Sequence, residues 1–149
     1  MTVVSIKIHD NSGQFLDEME NKVSKALETI GLVAEGYAKR LCPVGTPEST
    51  GIKGYIGGTL RNSITYALDG KPATIDSYTD NAGNIKGHYS GTAMYDIGLS
   101  RSVYIGTNVE YAPYVEMGTS RTKAKPFLKP AVAHHSNEYK QIVEQVMKE

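Results

Sequence analysis

The sequence predicts an α+β fold: a long N-terminal amphipathic helix and a C-terminal helix packed on a small antiparallel β-sheet, with long Gly-rich loops. Three observations predict it. Apolar residues recur at helical spacing from about Ser12 to Leu41. They do so again from about Phe127 to Lys148. Between these stretches, short alternating runs are broken by glycine, proline and Asp-Gly. Sequential short strands imply hairpins, and helices segregated from strands imply α+β rather than repeated βαβ units. A chain of 149 residues fits one domain, 1–149, and can bury a core.

Val4, Ile6 and Ile8 alternate with Ser5, Lys7 and His9, a period of two that reads as a half-buried strand or an extended arm. Asp10–Gly13 breaks it, and Asn11 or Ser12 can cap the helix beyond. Phe15, Met19, Val23, Ala26, Leu27, Ile30, Ala34 and Leu41 then form one stripe, with Glu18, Lys22, Lys25, Glu28 and Lys39 opposite. Gly31 and Gly36 each cost about 1 kcal/mol against alanine and mark a bend or a close approach. Pro43 stops this helix near Cys42.

Pro43–Gly58 reads as a loop, functional or mobile. Leu60–Leu68 alternates and predicts a strand. Asp69-Gly70 turns the chain, and Ala73–Tyr78 would return as the second strand of a hairpin. Thr79–Gly91 reads as a flexible loop or hairpin tip. Thr92–Ile97 and Ser102–Thr107 are β-like, joined by a turn at Gly98–Arg101. Tyr111–Ala133 carries the strongest punctuation. Tyr111, Tyr114, Val115 and Met117 form an anchor that ends at Gly118-Thr119, a basic loop with Arg121, Lys123 and Lys125 comes next, and Pro126 opens the last helix. Tyr111 and Tyr114 are expected to pack on the first helix or the sheet, hydroxyls at the rim.

Composition sets bounds on function. Formal net charge is zero, which removes a strong global drive toward DNA or an anionic membrane and favours self-association. The single cysteine, Cys42, rules out an internal disulfide and a cysteine zinc site. No apolar run reaches the ~18 residues of a membrane span, and the N-terminus lacks the pattern of a signal peptide, so an intracellular protein without membrane contact is expected. His134 and His135 are adjacent, hence about 100° apart on a helix and a poor chelate. Cys42 sits at a helix C-terminus, where the dipole disfavours the thiolate. The glycines of Gly51–Gly58 lack the Lys and the following helix of a phosphate cradle. The expectation is therefore no catalytic residue, no metal ligand and no cofactor.

Four blocks together resemble one family. They are Ala38–Val44 (AKRLCPV), Gly58–Ile64 (GTLRNSI), Tyr111–Thr119 (YAPYVEMGT) and Ala124–Ala131 (AKPFLKPA). In this order they look like the tail-component family of tailed bacteriophages and prophages, which takes in head–tail joining and tail-completion proteins. One feature departs from the pattern. The family places Asp-Thr-Gly between its Pro-Val and its Leu-Arg, whereas here a Gly-rich insertion without that aspartate separates Val44 from Leu60.

The resemblance implies a non-enzymatic virion protein, a minor tail protein located at the tail or head–tail junction and in the host cytoplasm during assembly. It implies a homo-oligomeric ring that contacts tail-tube, tail-terminator or neck and head-completion proteins. DNA in the ring lumen would be a non-specific contact. Expected interface residues are Arg61, Glu116, Arg121, Lys123 and Lys125, with the Gly45–Gly58 loop. Glu116 is read as solvent-exposed or ion-paired with Arg121, Arg61 or an adjacent copy. The basic cluster fits an acidic protein neighbour better than DNA, since no aromatic stacking set is interleaved. The competing classes are a small DNA-binding module, marked by steep salt dependence, and a small nucleotide binder or enzyme, marked by a pocket of converging titratable groups.

Overall fold

The computed structural model describes residues 2–9, 17–93 and 100–149. The chain is α+β, as its periodicities predict. Strand β1 spans Thr2–His9 and helix α1 spans Asp17–Leu41. The expected start of α1, near Ser12, lies outside the described residues. Val23, Ala26, Leu27, Ile30, Ala34 and Ala38 are buried along one stripe, which continues to Cys42 just before the proline stop. That stripe lies on a three-stranded antiparallel sheet of order β1-β5-β2, with β2 at Thr65–Leu68 and β5 at Ser100–Thr107. Ile105 pairs with Val4 and Tyr66, and Val103 pairs with Ile6 and Leu68, so one apolar face is continuous across the sheet. Val103, Ile105, Ile30 and Phe127 are fully buried in the core beneath α1. The close approach expected at a glycine is at Gly31, where a Cβ would sit 2.5 Å from the Tyr66 ring.

Several expectations change. Leu60–Leu68 is not one strand. Helix α3, Thr59–Ser63, precedes β2, and it starts after Gly58 in the left-handed region at φ 94°. Leu60 and Ile64 are four apart, a spacing that one helical turn serves as well as an alternating strand. Ala73–Tyr78 does not return along β2, whose partner is β5. Thr74 gives Tyr66 one backbone bond, and the chain then forms β3, Ser77–Thr79, paired with β4, Ile85–His88. Thr79–Gly91 is therefore mostly a hairpin. In Pro43–Gly58 a helical turn, α2 at Pro47–Thr50, is closed by reciprocal Thr46 and Ser49 capping bonds. Ser100 and Arg101 belong to β5 rather than to a turn, Thr92 and Ala93 are not strand, and 94–99 lie outside the described residues.

The C-terminal helix is divided. Helix α4 spans Ala112–Met117, α5 spans Leu128–Ala133 and α6 spans Ser136–Met147. The break falls at His134-His135. The His135 ring stacks on Tyr37 of α1 at 3.6 Å with the two planes nearly parallel, and its Nδ1 lies 3.7 Å from Glu138. This tertiary contact fixes His135 as the first flank of α6. No described helix is long and apolar enough to cross a membrane.

Candidate functional site

The four sequence blocks, far apart in the chain, meet at the C-terminal end of α1. Cys42 is buried just past the end of that helix. Burial pushes its thiol up to about 12, with the Arg61 guanidinium opposing and the Glu116 carboxylate adding to the shift. Arg61 and Glu116, from two other blocks, thus each lie within electrostatic reach of Cys42. The first cause of the raised thiol is burial, where the sequence pointed to the helix-end dipole.

Glu116 joins the fourth block. Its carboxylate accepts backbone N–H bonds from Phe127 at 2.7 Å, Leu128 at 3.0 Å and Lys129 at 2.9 Å. These are the unpaired amides at the start of α5, which an anion satisfies by charge as well as by geometry. Glu116 is half-buried, and within the chain this bonding takes the place of free exposure and of an ion pair with Arg121 or Arg61. Its α-helical position in α4 is what aims it at a residue eleven places on.

The basic loop is pinned between these two points. Lys125 N–H bonds to Val115 C=O at 2.8 Å, and Thr119 N–H bonds to Thr122 C=O at 2.8 Å. The Thr119 hydroxyl accepts from Arg121 and Thr122 N–H, a local turn. Gly118 has φ 77°, and a Cβ there would meet Ala124 N at 2.7 Å, so the hairpin-like hook from α4 to α5 needs glycine. Arg121, Lys123 and Lys125 are held exposed on this hook.

Tyr111 and Tyr114 are not packed inward. In α4 it is Ala112 and Val115 that turn to the body, leaving Tyr111 45%, Tyr114 62% and Met117 74% exposed. Pro43, Tyr111, Tyr114, Val115, Lys123 and Lys125 line a cavity of about 270 Å³. On the other side of Tyr111, a hollow of about 490 Å³ runs past Tyr55, Ile56, Lys86 and Glu110. Large exposed apolar side chains gathered this way, rimmed by cations, are the composition of a protein-binding surface.

No family model, no curated protein and no solved structure matches this chain.

Of the residues singled out in the sequence, Lys123 and Lys125 share a cavity wall and Arg121 lies on the same turn. Arg61 points elsewhere. Its guanidinium donates to Asn81 Oδ1 at 2.8 Å, and neighbouring Asn62 donates to Thr79 C=O at 2.8 Å, so α3 clamps the β3–β4 hairpin. Residues whose place at this surface the sequence did not single out are Pro43, expected only to stop α1, and Tyr55 and Ile56 within the flagged loop, while Met117 of the expected anchor turns outward. The available signal was the i, i+3 pairing of Ala112 with Val115, which sends both tyrosines outward. Among the described residues no group of three or more His, Cys, Asp or Glu side chains could hold a metal ion.

Proposed function

We propose that this chain is a structural protein of a tailed bacteriophage or prophage, acting in tail completion or head–tail joining. It does so by forming a ring and docking to tail-tube or neck proteins. The observation that carries this reading is the convergence of the four resembling blocks. They build one unit around Cys42, with Glu116 as its tie and the Tyr111–Tyr114–Met117 surface as its outward face. A chain that works by docking needs a rigid platform for exposed aromatic and apolar anchors, and such anchors dominate the binding energy of protein interfaces. The cations on the hook add orientation and encounter rate rather than bulk affinity.

The test is native mass measurement of the full chain, alone and with a tail-tube protein, together with deletion of the gene in its phage. The reading expects ring-sized assemblies in at least one arm, and tails that fail to join heads after deletion. A monomer in both arms, or infectious particles formed without the protein, overturns it.

A further inference from the structure

Neutral in sum, the chain is uneven in the placement of its charge. From Met117 to Asn137 there is no carboxylate. Across that span Arg121, Lys123, Lys125 and Lys129 stand exposed, with no side-chain partner among the described residues. Glu116, the carboxylate of α4, is consumed by the α5 amides. The hook is therefore cationic along its own length, and it forms one wall of the cavity of about 270 Å³ beside Tyr114.

The outward side of α1 offers one unneutralised carboxylate beside an exposed apolar side chain, because Lys25 is engaged by Glu149 and Lys39 by Glu35. Leu32 is 64% exposed, on the side of the helix away from Ile30. Glu28, one turn earlier, shares its face and is exposed, with no cationic partner among the described residues. Glu35 on the next turn is already tied to Lys39 at 2.7 Å. An aliphatic knob with a free carboxylate beside it is the complement of an apolar hole with free ammonium groups at its edge.

We infer that the α4–α5 hook of one copy docks on the outward face of α1 of the next. Leu32 enters the cavity lined by Pro43, Tyr111 and Tyr114, and Glu28 meets Lys123 and Lys125. This rests on the ring reading above and specifies the junction that builds the ring. The two surfaces differ, so the contact is heterologous. It leaves one free hook and one free helix face on every pair, and repeated with a rotation that closes it builds a ring. The apolar hole selects a protein knob over a phosphate backbone, which would satisfy the lysines and leave the hole empty.

Reciprocal charge reversal tests it on the full chain by sedimentation velocity. Glu28→Lys alone and Lys123→Glu with Lys125→Glu alone each set like charges across the junction and should weaken assembly at least about ten-fold. An equimolar mixture of the two variants presents opposite charges at both kinds of junction and should assemble again, as should the triple variant. Leu32→Ser should weaken assembly with no rescue by charge. All substitutions are at exposed positions, and unchanged thermal melts confirm that each variant folds. If wild type assembles but the reversals leave it unaffected, or the mixture and triple variant stay monomeric, this junction is wrong while the ring reading stands. If only the lysine reversals act, and they abolish binding to a double-stranded oligonucleotide, the hook serves DNA instead. Wild type that is monomeric with and without a tail-tube protein removes the ring reading and this inference together.

Discussion

Two polar segments that look alike in sequence, the β3–β4 turn and the α4–α5 hook, are each organised by a single carboxylate. Asp80 is buried at the turn. Its Oδ1 accepts from Ala82 N–H at 2.9 Å and Asn84 N–H at 3.0 Å, and its Oδ2 from the Asn84 side chain at 3.0 Å. Glu116 gathers three backbone amides that lie eleven to thirteen residues away. Asp80 therefore closes a loop that short-range chemistry already favours, whereas Glu116 holds together two elements with no local reason to meet. The same group secures a turn in one place and tertiary structure in the other.

Removing each carboxylate is the direct way to break the comparison. Glu116→Ala strands three amides at the start of α5 and should cost about 3 kcal/mol. In a thermal melt that is a fall of roughly 10 °C for a chain this size. Glu116→Gln keeps one acceptor oxygen and should recover part of the loss. Gly118→Ala attacks the same hook through the backbone. A Cβ at φ 77° facing Ala124 N should cost about 2 kcal/mol, read by urea denaturation. If either substitution proves neutral, the hook is not a unit held by its carboxylate.

Asp80→Asn should have a smaller and more local effect, faster amide exchange across Ser77–His88 with little change at α5. Its charge dependence has a defined sign. The Asn84 side-chain amide is the main influence holding the Asp80 carboxyl below its usual 3.8, against the opposing effect of burial. A lowered folded value stabilises above the unfolded value and is lost as pH falls through the folded one. The gap between wild type and Asp80→Asn should therefore be full at pH 6 and shrink below the ordinary carboxylate range. The smallest effect is the most diagnostic. Cys42 lies under the Glu116 side of the molecule, with its thiol raised to about 12. Thiol labelling at pH 7.5 should be slow in wild type and in Asp80→Asn, and faster in Glu116→Ala. Equal rates in both variants would mean that Cys42 does not report on the hook.

These two segments also show how much is legible in sequence. The Asp80-Asn81-Ala82-Gly83-Asn84 turn chemistry is local, so a hairpin tip can be expected there, although its strands cannot be paired. Helix α1 and the alternation of β1 and β5 are likewise readable, because their apolar periods persist over many residues. Leu60–Ser63 misleads because a four-residue gap between apolar side chains fits either period. The division of the C-terminal helix at His135 depends on Tyr37, and the role of Glu116 depends on amides in another element. Neither leaves a local mark. The outward tyrosines obey the same logic: an aromatic in an apolar-looking run is assumed buried until its helix phase is known.

Gly31 sits midway along α1 with the Tyr66 ring and Val103 pressed against its bare backbone. Any side chain there would act as a wedge under a rigid rod about forty ångströms long by its rise per residue. That contact falls near the middle of the rod, and Cys42 and the wall of the hook follow its far end. A single methyl group placed at the fulcrum would thus be felt as misalignment at a surface that it never touches.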